Sequence, residues 1–229
     1  MQNFKITRLE WGRGGKQALL IFPHWGSYLF IYRIFARLFP GTYCVLYHYL
    51  CGLLSADIAL TTSRFEFMEK LVRKDFTSFK RDGVNSLCFY GVSLGSVLAT
   101  RLANIAKAEG FEVSLVLNLS SASFPYAVWN GKATKGIQKK LAAQGTTFEE
   151  LDGAWGCLSP INNLENLRRA PILFFASLRD DVMCRGNVGR LIEELKENYP
   201  NAVCSLTKLG HTLGGIRGFF VRNIIKRFL

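Results

Sequence analysis

Residues 88–96 read Cys-Phe-Tyr-Gly-Val-Ser-Leu-Gly-Ser, a serine between two glycines, with large apolar residues before it and a helical pattern after it. A loop between a buried strand and a helix takes small residues for packing alone, so composition leaves the stretch ambiguous. Its context does not. Residues 86–90 (SLCFY) have the make-up of a buried strand and residues 96–108 the periodicity of a helix. Gly91-Val92-Ser93-Leu94-Gly95 therefore matches G-x-S-x-G on a strand-to-helix turn. A turn that sharp needs glycine on both sides and leaves the Ser93 hydroxyl exposed above the sheet edge, as a nucleophile requires.

A serine hydroxyl is a weak nucleophile at its own pKa and needs a base, itself oriented by a third group. The chain holds three histidines, His24, His48 and His211. The first two precede the serine. His211 lies in KLGHTLGG, a loop after the last expected strand, from which it can swing over the strand ends. The carboxylate is expected where PILFFASLRDDVM leaves its strand, at Asp180 or Asp181. Spacing favours Asp180, because the loop then continues through Val182 and Met183, and Asp181 is the alternative. Serine, aspartate and histidine then follow in that order, each at a strand end. For an oxyanion the expected donors are the backbone N–H of Leu94, at the start of the helix, and that of Trp25 in the loop FPHWGSY, with His24 as the alternative.

Outward from this centre, FKITRLEW and KQALLIF are separated by a glycine-rich stretch at residues 12–15, which predicts a hairpin of two strands. Helical patterns at residues 28–39, 62–80, 96–108, 188–198 and 216–228 then alternate with the strands TYCVLYHY, SLCFY, VSLVLNL, PILFFAS and AVCSLTKL. Continuous apolar strands of this kind predict an α/β fold with a mostly parallel sheet covered on both faces. Residues 124–166 are too long for an ordinary connection and predict an inserted cap. Phe124, Tyr126, Trp129 and Trp155, with His24, are expected to line an apolar acyl pocket.

The chain of 229 residues, 49% hydrophobic, fits one domain over residues 1–229 and excludes disordered and fibrous classes. Its 29 basic and 17 acidic residues give a net charge of +12, which suits nucleic acid, an anionic membrane or an acidic substrate. The small basic clusters Lys139-Lys140, Arg168-Arg169 and Lys226-Arg227 accompany no arginine-rich arm and no nucleic-acid motif. No nucleic-acid partner is expected, therefore, and weak association with an anionic lipid surface is. Six cysteines without a CxxC pair, several inside apolar runs (Cys44, Cys88, Cys204), predict reduced, packed thiols and no metal site. The opening MQNFKITRLEW lacks the apolar core of a secretion signal, which predicts a cytoplasmic protein. Residues 28–54 are apolar and aromatic, but Arg33, Arg37, Pro40 and Gly41 cut them well short of the roughly 20 residues of a membrane span.

Together, ALLIFPHWGS, GVSLGS, LRDDV and LGH make the chain resemble the α/β-hydrolase superfamily over nearly its whole length. The segment SPINNLENLRRAPILFFASLRDDV is similar to the one before the catalytic acid in small serine esterases and in dienelactone-hydrolase-like or prolyl-oligopeptidase-like domains. The resemblance implies a mostly parallel central sheet flanked by helices, Ser93, Asp180 and His211 as a triad, and no metal or organic cofactor. Two departures stand out. Pro23-His24-Trp25-Gly26 places a histidine where the superfamily carries a glycine, and the short N-terminal part implies a sheet without one or two of the usual first strands. A serine in the motif argues against haloalkane dehalogenases and epoxide hydrolases, which carry an aspartate there. The expected activity is hydrolysis of a carboxylic ester or thioester of short to medium acyl chain. The alternatives are a peptidase or amidase of the prolyl-oligopeptidase type and a non-catalytic binder of a small apolar ligand on the same fold.

Overall fold

In the computed structural model, which describes residues 4–12, 14–50, 52–215 and 217–229, the apolar runs become the strands of one sheet. Strands β1 (Thr7–Trp11), β2 (Gln17–Phe22), β3 (Tyr43–His48), β4 (Ser86–Val92), β5 (Glu112–Asn118), β6 (Ile172–Ser177) and β7 (Ala202–Thr207) stand in the order β1-β3-β2-β4-β5-β6-β7. Every neighbouring pair is parallel except β1 with β3. Strands β3 and β6 are buried at every residue, and β2, β4 and β5 at all but the first, so each requires cover on both faces.

Alternation along the strands sends side chains into two cores. Leu20, Phe22, Val45, Tyr47 and Phe89 enter one, and Leu19, Ile21, Leu46, Cys88 and Tyr90 the other. The second core is covered by α1 (Leu29–Arg37) and, after β7, by a C-terminal arm of short helices. The first is covered by α2 (Ile58–Arg81), α3 (Leu94–Ala108), the segment between β5 and β6 with α4 (Phe124–Asn130), α5 (Lys135–Ala143) and α6 (Phe148–Trp155), and α7 (Arg185–Asn198). The C-terminal arm comprises α8 (His211–Gly215), α9 (Arg217–Phe220) and α10 (Arg222–Ile225). Helix α2 shows how sequence makes such cover. Asp57 caps it by accepting from Leu60 N–H at 2.9 Å, and Phe65, Met68, Val72, Phe76 and Phe79 recur on its buried side. Burying each of those side chains contributes about 1.5–3 kcal/mol.

The hairpin expected of β1 and β2 does not form. Strand β1 runs antiparallel to β3, with Trp11 opposite Cys44 and Thr7 opposite His48, while β2 lies between β3 and β4. A hairpin would have left one edge of the wholly buried β3 unpaired; instead the chain crosses beneath the start of that strand. Gly12 permits the crossing, with a φ of +70° and so little room that a Cβ would lie 2.5 Å from the Thr42 carbonyl oxygen. Arg13, in the same connection, is outside the described residues.

One continuous helix over residues 216–228 does not form either. Ile216 lies outside the described residues, and beyond it α9, α10 and a terminal 3-10 turn follow the sheet in short pieces. Gly218 gives the reason: it packs so tightly against the Tyr90 hydroxyl that any side chain would collide, and glycine supports a helix poorly. Ser114 Oγ donates to the Phe228 carbonyl and ties the end of the chain across β5. No helix among the described residues is long and apolar enough to cross a membrane.

Candidate active site

Ser93 is the hinge between β4 and α3 and holds φ +53° with ψ −119°, a region that costs an L-residue about 1–3 kcal/mol. Neither flanking glycine has a positive φ. They supply space instead. A Cβ on Gly91 would lie 2.6 Å from the Ala99 methyl and from Ser96 Cα, and one on Gly95 would run into the carbonyl oxygens of Phe22 and Pro23. The glycines thus let α3 press against β4 and β2, and the strain falls on the serine. Hydrogen bonds hold it there: Ser93 N–H donates to the Asn118 carbonyl at 2.9 Å, and Ser96 Oγ donates to the Ser93 carbonyl at 2.6 Å.

Asp180 follows the end of β6 with its carboxylate only 1% exposed. Its Oδ1 accepts from the N–H groups of Val182 at 2.9 Å and Met183 at 2.8 Å, an Asx turn that locks the side chain. His211, the first residue of α8, sets Nδ1 at 2.9 and 2.8 Å from the two carboxylate oxygens and Nε2 at 3.1 Å from Ser93 Oγ. An ionised carboxylate can only accept, so Nδ1 carries the proton and Nε2 offers its lone pair to the serine hydroxyl. Ser177 Oγ, donating to the Leu209 carbonyl, binds the loop before His211 to the end of β6. Asp181 turns the other way. It pairs with Lys132 at 2.7 Å on the surface, and the hydrogen bond from that ammonium holds its pKa below the usual carboxylate range. The two adjacent candidates are therefore separated by direction, Asp180 to His211 and Asp181 to Lys132.

Leu94 heads α3, where first-turn N–H groups have no acceptor within their own helix. In the turn after β2, His24 N–H donates to the Tyr32 hydroxyl at 3.3 Å and Gly26 N–H to the Leu50 carbonyl at 3.2 Å, with Trp25 between them. The backbone donor of His24 is thus already engaged. The Tyr32 oxygen also lies 2.8 Å from His24 Nδ1. Because the backbone group is itself a donor, the phenolic proton goes to Nδ1, and the hydrogen of the neutral ring sits on Nε2. Burial, reinforced by the neighbouring His211 and His48, pushes the His24 pKa down to about 4, so the ring stays neutral near pH 7. His48 lies behind, its Nε2 bonded to the Ser27 carbonyl at 2.9 Å.

Ser93 and His211 open onto a cavity of about 140 Å³, walled by Leu54, Val97, Phe124, Val128, Val182 and Met183. His24, Trp25 and Leu94 line it as well. Of the aromatic residues expected in the wall, Phe124 is there and Tyr126, Trp129 and Trp155 are not. Helix α4 turns Phe124, Ala127 and Val128 to the cavity, at i, i+3 and i+4. Tyr126 and Trp129 fall on its other side and pack on Phe148, with ring centroids 6.1 and 6.2 Å apart. Trp155 is fully buried behind Phe124, stacked at 5.3 Å, and its Nε1 donates to the Ile58 carbonyl at 3.3 Å. Helical spacing from Phe124 is the signal that finds Ala127 and Val128. Leu54, Val97 and Met183 come from three distant stretches of chain and leave no local trace in the sequence. Among the described residues no group of three or more His, Cys, Asp or Glu side chains is placed to hold a metal ion.

No family model matches the sequence, and no curated protein is similar to it by sequence. Solved structures are similar in fold. A structure from a study of carboxylesterases of the thaumarchaeon Nitrososphaera gargenis aligns at TM-score 0.60 and 15% identity over 100% of this chain and 96% of that one. The monoacylglycerol lipase of Paleococcus ferrophilus aligns at 0.59 and 13% identity, over 98% of each chain. An α/β hydrolase from Vibrio vulnificus aligns at 0.63 and 18% identity, over 100% of this chain and 82% of that one. The fold of this chain is the α/β-hydrolase fold.

Proposed function

We propose that the protein is a serine hydrolase that cleaves a carboxylic ester or thioester of short to medium acyl chain through an acyl-enzyme. The observation that carries the reading is the hydrogen-bonded line from Asp180 through His211 to Ser93 at the wall of an apolar cavity. As Ser93 Oγ bonds to the acyl carbon, His211 Nε2 takes its proton and the carbonyl electron pair moves to oxygen. The backbone N–H groups of Leu94 and Trp25 receive that oxyanion. When the tetrahedral species collapses, the bond to the leaving oxygen or sulfur breaks and His211 returns the proton to it. Water then attacks the acyl-enzyme with His211 again as base, and the carboxylic acid and Ser93 are released. Asp180 stays ionised throughout, holding the Nδ1–H tautomer and stabilising the imidazolium.

Residues 124–166 act as the cap, with α4 as the wall that meets the acyl chain. A dry apolar cavity of about 150 Å³ takes a group the size of benzene. A space of about 140 Å³ therefore suits an acyl tail of about six carbons. His24 Nε2–H, a neutral donor at that cavity, orients the substrate carbonyl or the leaving atom.

The test is hydrolysis of p-nitrophenyl acetate, butyrate, octanoate and palmitate, beside an aminoacyl p-nitroanilide, with fluorophosphonate labelling. Turnover should peak at or below the octanoate and fall by about 10⁴-fold or more in Ser93→Ala, with the label lost. Unchanged turnover in that variant, or no turnover and no labelling in folded wild type, would overturn the reading. Faster cleavage of the anilide would turn it into an amidase.

A further inference from the structure

The net charge of +12 is unevenly placed along the chain. Residues 11–56 hold four lysines or arginines and no acid, and residues 198–229 hold five and no acid. Nine of the twelve net charges thus come from about a third of the sequence. Folding brings these two segments together, because they supply α1 and the C-terminal arm over the same core. The rings of Phe35 and Phe219 lie 5.1 Å apart, and Tyr32, Phe35 and Ile225 share the buried cluster.

The outer side of this layer is not an ordinary solvated surface. On α1, Phe30, Arg33, Ile34 and Arg37 recur at i, i+3, i+4 and i+7, and all four are exposed. Phe30 is 61% and Ile34 51% exposed, and the ring of Tyr28, 66% exposed, lies 6.1 Å from that of Phe30. On the C-terminal arm Phe220 is 80% exposed, with Ile224 one turn on and Arg222, Lys226 and Arg227 beside them. None of these five cations forms an ion pair among the described residues. Both halves of the surface also run directly from the cavity: His24 and Trp25 lie just before α1, and His211 opens the arm.

We propose that the outer face of α1 and the C-terminal arm docks on an anionic lipid bilayer and sets the cavity mouth against the lipid surface. Large apolar side chains interleaved with unpaired cations are costly in water and suit the boundary between headgroups and acyl chains, where rings insert and cations meet lipid phosphates. An isologous contact with a second copy would bring five cations against five. A duplex nucleic acid would pair with the cations but would leave Phe30, Ile34 and Phe220 exposed. The surface argument does not depend on the hydrolytic reading, and its experiment uses binding as the readout.

The experiment is co-sedimentation of the full chain with phosphatidylcholine vesicles, with and without phosphatidylserine, over a salt series, with single-stranded oligonucleotide as competitor. Wild type should bind only the phosphatidylserine vesicles, more weakly as salt rises. Binding should weaken by about tenfold or more both in Arg33→Glu/Arg37→Glu and in Phe30→Ser/Phe220→Ser. Lys70→Glu/Lys74→Glu makes the same charge change on exposed positions of α2, on the opposite layer, and should bind as wild type does. Thermal unfolding of each variant shows that it is folded. The proposal fails if wild type ignores phosphatidylserine or if the α2 control loses as much as the α1 pair. It also fails if folded aromatic variants bind unchanged, or if the oligonucleotide displaces the vesicles at equal concentration.

Discussion

None of the seventeen acidic residues lies on α1 or on α8–α10, whereas the helices over the other face of the sheet, α2 to α7, carry nine of them. In that acid-bearing layer some of the charges meet one another. Arg73 meets Glu69 and Glu109, and Arg101 meets Glu69, tying α2 to α3 at the protein's own surface. In the acid-free layer the cations form no ion pair among the described residues, and large apolar side chains stand beside them. The same division runs through the cavity. The acid-bearing layer contributes the apolar Val97, Phe124 and Val128 to its wall, while the other layer contributes His211, and the loop into it His24. One layer therefore supplies the apolar wall of the cavity and the other carries His211 and the outward-facing surface, with Ser93 and Asp180 on the sheet edge between them.

The division is sharpest at two adjacent residues, and breaking it there should give the largest effect. Asp180 faces His211 and Asp181 faces Lys132 on the acid-bearing side. Asp180→Asn keeps the shape of the side chain but offers Nδ1 a donor or a neutral acceptor, which favours the wrong tautomer. Its kcat should fall by about 10³–10⁴-fold. Asp181→Asn removes only an exposed ion pair, worth little in water, and kcat should stay within about twofold of wild type. Steady-state hydrolysis of a p-nitrophenyl ester distinguishes them, and equal losses in the two variants would show that the triad assignment is wrong.

A smaller effect should separate the layers by substrate. Val128→Trp fills the cavity from α4 without approaching Ser93 or the α1 face. It should lower kcat/KM for the octanoate relative to the acetate by about 10–100-fold and leave vesicle binding as it was. Uniform loss across the chain lengths would mean that α4 does not meet the acyl chain.

How much of this was legible in the sequence follows from how local each feature is. The turn at Ser93 and the meeting of Ser93, Asp180 and His211 follow from local patterns, because each residue lies at a strand end or in the few residues after it. The role of the glycines was only half legible. The motif implies a sharp turn, but it is Ser93 that takes the positive φ, while Gly91 and Gly95 serve the approach of α3 to two strands that sequence alone does not place. The partner of β1 was not legible at all: a short glycine-rich connection fits a hairpin as well as a crossing, and the need of β3 for two neighbours decides between them. Tyr126, Trp129 and Trp155 lie off the cavity because aromatic content says neither which side of α4 faces Ser93 nor that α6 sets Trp155 behind Phe124. The uneven charge, by contrast, was present in the sequence throughout. It acquires meaning only once α1 and the C-terminal arm are seen to share one face.

The smallest effect concerns His24, which joins β2 to the acid-free layer. Its pKa is lowered from 6.5 to about 4, by burial above all and then by His211 and His48. Protons therefore bind the unfolded chain at pH values where the folded chain still excludes them from this ring. The stability His24 contributes is present above about pH 6.5 and is lost as pH falls from there toward about 4. Melting temperatures measured across that window should decline with falling pH in wild type and more shallowly in His24→Gln, whose amide does not titrate and can still accept from Tyr32. The contrast must be confined to this histidine. His48→Gln keeps the His24 ring in place and should leave most of the decline intact. Parallel curves for wild type and His24→Gln would mean that the ring is protonated as readily in the folded protein as in the unfolded chain. His24 would then carry no lasting neutral Nε2–H donor at the cavity as pH falls, while the Asp180–His211–Ser93 line and the division between the layers would be unaffected.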